Sequence, residues 1–144
     1  MTDGLAIRAA TTADIATVLT LWRDAGAEES VTDDEPGIAG LIARDPEALL
    51  LAEDGQGRLI GSLVAGWDGW RGHLHRLAVV PDHRRRGVAT ALVRHGERRL
   101  VALGARRIAA IVVDGHEDAL RFWEAAGYEQ ADHSRFTRSL QRGR

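Results

Sequence analysis

The stretch "LAVVPDHRRRGVATALV", residues 77–93, decides how the rest of the chain is read. Its first half is a strand that ends at Pro81, where no N–H remains for a further ladder bond. Its second half opens a helix: from Gly87 onward Val88, Leu92, Leu100 and Leu103 fall on one helical face, with Gly96 small between them. Arg84, Arg85, Arg86 and Gly87 lie at the joint. The first N–H groups of any helix lack an intrahelical partner, and the helix dipole adds about half a positive charge there. Gly87 can take a positive φ or let the backbone approach a ligand. Ala89 adds no bulk, and Thr90 offers a hydroxyl. These residues suit a pocket of amides for phosphate oxygens. They equally suit a solvated turn, and taken alone they leave both readings open.

Working outward, "LAIRAA" (5–10) reads as a strand. A helix follows, capped by Thr11 or Thr12, with a stripe of Ile15, Val18, Leu19 and Trp22, and Gly26 ends it. "AEESVTDDEPG" is an acidic loop, and a shorter helix runs from Pro36 to a stop before Pro46. Residues 48–67 form two strands about the turn "EDGQGR". The turn "WDGWRG" (67–72) precedes the strand "HLHRLAVV". After the long helix come a strand "RRIAAIVV", a helix "HEDALRFWEAAG" with Ala119, Leu120, Trp123 and Ala126 on one side, and two closing strands, "YEQAD" and "SRFTRSL". The order β-α-α-β-β-β-α-β-α-β-β predicts an α/β chain of the mixed α+β kind, with one mixed sheet flanked by helices.

Composition narrows the function classes. A chain of 144 residues with 44% hydrophobic and 28% charged residues suits a single globular domain over 1–144. The absence of cysteine excludes a disulfide scaffold, a thiol nucleophile and thiolate metal sites. All 19 basic residues are arginine, which excludes a Schiff-base lysine and the Walker phosphate loop. No apolar run reaches the roughly 20 residues that cross a bilayer. "MTDGLAIRAA" lacks the features of a signal peptide, so a cytoplasmic location and no membrane partner are expected. The net charge of -2 hides an asymmetry: residues 1–72 hold 13 acidic and five basic residues, residues 73–144 eight and 14. The overall acidity, and the lack of stacking aromatics near the arginines, argue against a nucleic-acid partner.

Arg84-x-x-Gly87-x-Ala89, directly after "LAVVPDH", resembles the coenzyme A signature of the GNAT superfamily of acyl-CoA-dependent N-acyltransferases. The family pattern is Gln/Arg-x-x-Gly-x-Gly/Ala after a strand reading Leu-x-Val-x-Pro. "HEDALRFWEAAGYE" is similar to the family's second signature, a helix ending Gly-Phe/Tyr, and the element order agrees over roughly residues 5 to 140. The chain resembles the small stand-alone bacterial members, the "WDGWRG" turn included. The resemblance implies a single GNAT-like domain with a mostly antiparallel central sheet, acetyl-CoA as acyl donor, and no metal. It implies that amides of Arg84, Arg85, Arg86, Gly87, Val88, Ala89 and Thr90 hold the pyrophosphate. Leu77, Ala78 and Val79 would pair with the pantetheine arm, and an N–H near Val79 would stabilise the oxyanion. His116, Ala119 and Trp123 would lie beside the coenzyme.

The departures from the family pattern concern proton transfer. Members often carry a carboxylate base on the central strand or its neighbour; here His73 and His75 stand on the central strand. Strand alternation puts both on the face of Leu77 and Val79, and imidazole titrates near neutrality. They also read as surface or packed histidines. Glu53 is another candidate base and equally a hairpin carboxylate. Trp123 replaces the tyrosine that protonates the leaving thiolate, and an indole N–H supplies no proton. Tyr128 falls on the Gly-Phe/Tyr ending and reads as structural. His116 stands where members often have asparagine. On the acceptor side, Glu28, Glu29, Asp33, Asp34 and Glu35, with Trp67, Asp68 and Trp70, point to a cationic amine: a small molecule or a basic peptide end. A homodimer fits the stand-alone members. Two rivals stand beside the enzyme: an acyl-CoA sensor without turnover, which Trp123 favours, and a nucleic-acid-binding domain.

Overall fold

The computed structural model describes residues 4–27, 29–112, 117–132 and 134–140. In chain order they form β1 (Ala6–Ala9), α1 (Ile15–Asp24), α2 (Glu35–Arg44), β2 (Leu49–Glu53), β3 (Leu59–Trp67), β4 (Gly72–Val79), α3 (Val88–Leu103), β5 (Ile108–Ala110) and α4 (Glu117–Ala125). The expected order holds from β1 to α4. The chain packs as two compact units, Met1–Ile111 and Val112–Arg144.

The first unit is a five-stranded sheet in the order β1-β2-β3-β4-β5. Every pairing is antiparallel except β4 with β5, which is parallel. Leu49, Leu50, Leu51, Ile60, Leu63 and Ala65 are all buried, so β2 and β3 are covered on both faces. That is why these strands read as continuous apolar runs rather than alternating ones. α1 covers one face, where the Trp22 indole N–H donates to the Ser62 hydroxyl at 2.8 Å. Its buried residues are Ile15, Val18, Leu21 and Trp22, so Leu21 takes the place expected for Leu19. A capping box joins Thr11 and Asp14 ahead of α1, and Arg8 on β1 bonds both Asp14 oxygens. That guanidinium holds the Asp14 carboxyl down to about 2.

α3 covers the other face. Its buried row runs Val88, Leu92, Gly96, Leu100 at steps of four, and the next step is the capping residue Gly104. Leu103 therefore lies off the row and is 45% exposed, contrary to the sequence expectation. A Cβ at Gly96 would stand 3.0 Å from Leu63 Cδ2 and 3.2 Å from Ala65 Cβ. Glycine lets the helix seat directly on β3. Gly96→Val should therefore overpack this contact and destabilise the protein by about 1–3 kcal/mol, read as a lowered denaturant midpoint.

In the second unit α4 ends in a Schellman-type stop. Gly127 has φ 99, and the Tyr128 N–H donates to the Trp123 carbonyl at 3.0 Å. The Trp123 ring is buried and meets Tyr128 edge-on at 5.0 Å. Residues 128–132 and 134–140 form no strand, where two were expected. A strand persists where a neighbour takes its ladder bonds and one face is buried. Phe136 is 93% exposed and Leu140 79%, so the apolar positions of this segment bury no face.

Candidate functional site

The site begins with one extra residue in β4. Ser62 pairs with Ala78 and Val64 with His75, so Arg76 and Leu77 together oppose the single residue Leu63. This is a β-bulge. Arg76 takes φ 55, a left-handed conformation that costs a non-glycine residue on the order of 1–2 kcal/mol. Contacts hold it there. The Ser62 hydroxyl donates to the Arg76 carbonyl at 2.9 Å, and the guanidinium lies 5.1 Å from the Trp22 ring centroid and pairs with Asp33. The bulge flips side-chain parity. His73 and His75 share the α1 face with Ser62 and Ala78, whereas Leu74 and Val79 share the α3 face with Gly61 and Ala65. The expectation that both histidines lie on the face of Leu77 and Val79 is thus corrected, because alternation is interrupted between them.

β5 pairs with β4 only at Gly72, His73 and Leu74. From His75 to Val79 the strand has β3 alone as a partner among the described residues. The Val80 N–H donates to the Ile60 carbonyl at 2.9 Å, so by alternation the N–H and C=O of Val79 face the edge away from β3. The Val79 carbonyl indeed accepts from Arg84 Nε at 3.1 Å.

The arginine loop follows directly. Pro81–His83 forms one 3-10 turn, then Arg85 and Gly87 take φ 64 and 83. The first helical bond runs from the Ala91 N–H to the Gly87 carbonyl, and Gly87 has no side chain to cap the start of α3. The amides of Val88, Ala89 and Thr90 therefore precede the helical ladder and are available to an anion. The three arginines differ. Arg84 braces the loop, with Nε on the Val79 carbonyl and a terminal nitrogen 3.0 Å from the Ala25 carbonyl. Arg85 and Arg86 are exposed. The Val88 side chain is buried in the core, which leaves only its backbone to the site.

On the α1 face His73 Nε2 lies 3.0 Å from an Asp68 oxygen. The other Asp68 oxygen accepts the N–H groups of Arg71 at 2.6 Å and Trp70 at 2.8 Å. The Arg71 amide, with help from His73, holds the Asp68 carboxyl down to about 2. Asp68 thereby stays charged and anchors the His73 ring through Nε2. The His75 ring lies 6.2 Å from that of His73. Trp70 is 69% exposed beneath the Arg71 guanidinium. Trp67 pairs with Gly72, a position facing Leu100 of α3, so it stands on the opposite face from His73.

The acidic segment is partly engaged within the fold. Asp33 pairs with Arg76, and Asp34 caps α2 by accepting the Gly37 N–H at 2.9 Å. Glu29 and Glu35 are exposed, and Glu28 lies outside the described residues. Glu53 pairs with Arg8 at 3.2 Å, a structural use. His116 also lies outside the described residues; Ala119 is half-buried on α4. Among the described residues no three His, Asp or Glu side chains gather as a metal site would require. No described helix is long and apolar enough to cross a membrane. The Trp22–Ser62–Arg76–Asp33 network escaped the sequence reading. Ser62, the one hydroxyl in the apolar run "LIGSLVAG", was the signal for it.

Residues 15–128 match the family model described as "Acetyltransferase (GNAT) family". An acetyltransferase of Pectobacterium atrosepticum is 34% identical over 119 residues, covering 83% of this chain and 84% of that protein. One of Yersinia enterocolitica is 33% identical over 126 residues, covering 88% and 89%. Among solved structures, Ard1 from Thermoplasma volcanium superposes with a TM-score of 0.80 at 20% identity, covering 90% of this chain and 85% of that one. The aminoglycoside N-acetyltransferase AAC(6')-Iy, solved with CoA, gives 0.72 at 21% identity and 95% coverage of both chains. PaiA N-acetyltransferase from Thermoplasma acidophilum, in complex with coenzyme A, gives 0.78 at 15%, covering 90% and 92%. At these identities the structures speak for the shared fold.

Proposed function

Because the chain belongs to the GNAT acetyltransferase family and is an acyltransferase, we propose that it moves the acetyl group of acetyl-CoA to a primary amine by direct attack on the thioester. We read residues 1–144 as one catalytic domain, since the family match over 15–128 runs through both compact units. The observation that carries the proposal is the junction of two features. The uncapped amides at the start of α3 follow, within one short loop, the edge of β4 that has no second strand among the described residues. The first suits the pyrophosphate of the coenzyme and the second its pantetheine arm.

In this reading Gly87, Val88, Ala89 and Thr90 bind through the backbone, and Arg85 and Arg86 add charge around them. Arg84 keeps the loop in place. The edge of Leu77, Ala78 and Val79 takes the arm, and the Val79 N–H meets the acyl oxygen as negative charge develops on it. The amine nitrogen forms its bond to the acyl carbon, the carbon–sulfur bond breaks, and the coenzyme leaves as thiolate. The amine's proton passes to an imidazole on β4. His75 is the base, being next to the bulge; His73, held by Asp68, stands behind it. Trp123 stands where the resemblance puts a tyrosine, and water reprotonates the thiolate.

The acceptor is a cationic amine. Exposed Glu29 and Glu35, and Asp68 beside His73, are carboxylates in the two segments that adjoin β4 on its α1 face. A thiol-release assay with acetyl-CoA should show polyamines, amino sugars and basic peptide ends turning over faster than acidic or neutral amines. Equal rates across the panel would discard the cationic acceptor. Tight coenzyme binding with no release for any amine would leave a donor-binding module instead.

A further inference from the structure

We propose that Asp33 is a positioning residue for acyl transfer, acting on the donor edge of β4 through Arg76 rather than on the acceptor's charge. The inference rests on the acyltransferase reading above. Arg76 carries the left-handed turn of the bulge, and an arginine does not hold φ 55 inside a strand without support. If that turn relaxed to extended backbone, the alternation of β4 would become continuous. His75 and Val79 would then share a face, and the Val79 N–H or the imidazole would leave its place. The support comes from three elements. β3 contributes Ser62, fully buried, whose hydroxyl accepts from Trp22 and donates to the Arg76 carbonyl. α1 contributes the Trp22 ring beneath the guanidinium. The acceptor-side segment contributes Asp33, itself fixed by accepting the Ser30 N–H at 2.8 Å. The carboxylate that looks from sequence like part of an acidic binding loop is therefore a half-buried partner of the bulge. It makes the geometry of the thioester edge depend on the segment that lines the acceptor.

The test separates this role from direct recognition. Asp33→Asn and Arg76→Ala should each lower kcat about tenfold, a change equivalent to about 1.4 kcal/mol in the barrier. Coenzyme A affinity by calorimetry should change little, because the α3 amides are untouched. Arg76→Gly should recover most of what Arg76→Ala loses, since glycine takes the left-handed turn without an anchor. In the Arg76→Gly background Asp33→Asn should cost nothing more. Arg76→Gly as impaired as Arg76→Ala would mean that the guanidinium itself meets a reactant, and overturns the proposal. So would an Asp33→Asn variant that raises the amine KM equally in both backgrounds, because Asp33 would then be reading the acceptor. A wild-type protein that neither binds coenzyme A nor releases thiol overturns the acyltransferase reading, and this proposal with it. Thermal melts of each variant identify loss of fold, and the Arg76→Gly comparison stays informative if Arg76→Ala is unstable.

Discussion

Gly87→Glu is expected to raise the Kd for coenzyme A more than a hundredfold while the protein stays folded. Two effects act together. Gly87 has φ 83, where a side chain costs about 1–2 kcal/mol. The larger effect is charge. A carboxylate about 4 Å from a pyrophosphate repels it by about 4 kcal/mol at an effective dielectric near 20. It would also compete for the Val88, Ala89 and Thr90 amides. Calorimetric titration with coenzyme A reads the loss, and circular dichroism checks the fold. Gly87→Asn is the control, since asparagine tolerates the left-handed region and brings no charge. It should bind within about tenfold of wild type. Arg85→Ala should be mild as well, because Arg85 is exposed and its contribution is screened. Equal losses for Gly87→Glu and Arg85→Ala would mean that the arginine charges, and not the amides, hold the ligand.

That contrast bears on what the sequence makes legible. Gly87 and Pro81 are readable because backbone conformation is written into residue type: glycine for a positive φ, proline for the end of a ladder. The helical row Val88–Leu92–Gly96–Leu100 is readable because period four repeats from Val88 to Leu100, although Leu103, expected on the same face, lies off it. Arg76 is not readable, because nothing in the type arginine announces φ 55. Its conformation is imposed by Trp22, Ser62 and Asp33, which stand up to 54 positions away in the chain. The bulge is therefore a tertiary effect, and the error about His73, His75, Leu77 and Val79 follows from applying a period of two across it. Asp33 and Asp34 show the same limit. As a charge run they suggest a cation site, yet one is paired with Arg76 and the other caps α2. Sequence displays charge but not the partner that neutralises it. The closing residues 128–132 and 134–140 fail for a third reason: a strand-like pattern licenses a strand, and only a neighbouring strand makes one.

The second large effect is expected at β4's imidazoles. His75→Ala should lower kcat about a hundredfold, within the range for loss of a general base. It should also flatten the acid side of the kcat/KM profile, the signature of a lost general base. Binding of coenzyme A should persist, since the α3 amides and the β4 edge are backbone features. His73→Ala discriminates between two arrangements. If His75 takes the proton directly, His73→Ala costs a few-fold and leaves the acid limb in place. If the proton passes from one ring to the other, His73→Ala costs as much as His75→Ala, and Asp68→Asn reproduces it. The rings lie 6.2 Å apart, too far for direct ring-to-ring transfer without a bridging water. The direct arrangement is therefore the expected one. Asp68 then serves to hold the "WDGWRG" turn through the Trp70 and Arg71 amides, and to anchor the His73 ring. An unchanged pH profile in both histidine variants would remove the imidazoles from the reaction altogether. The amine would then have to arrive already neutral, and the rate should rise with pH toward the amine's own pKa.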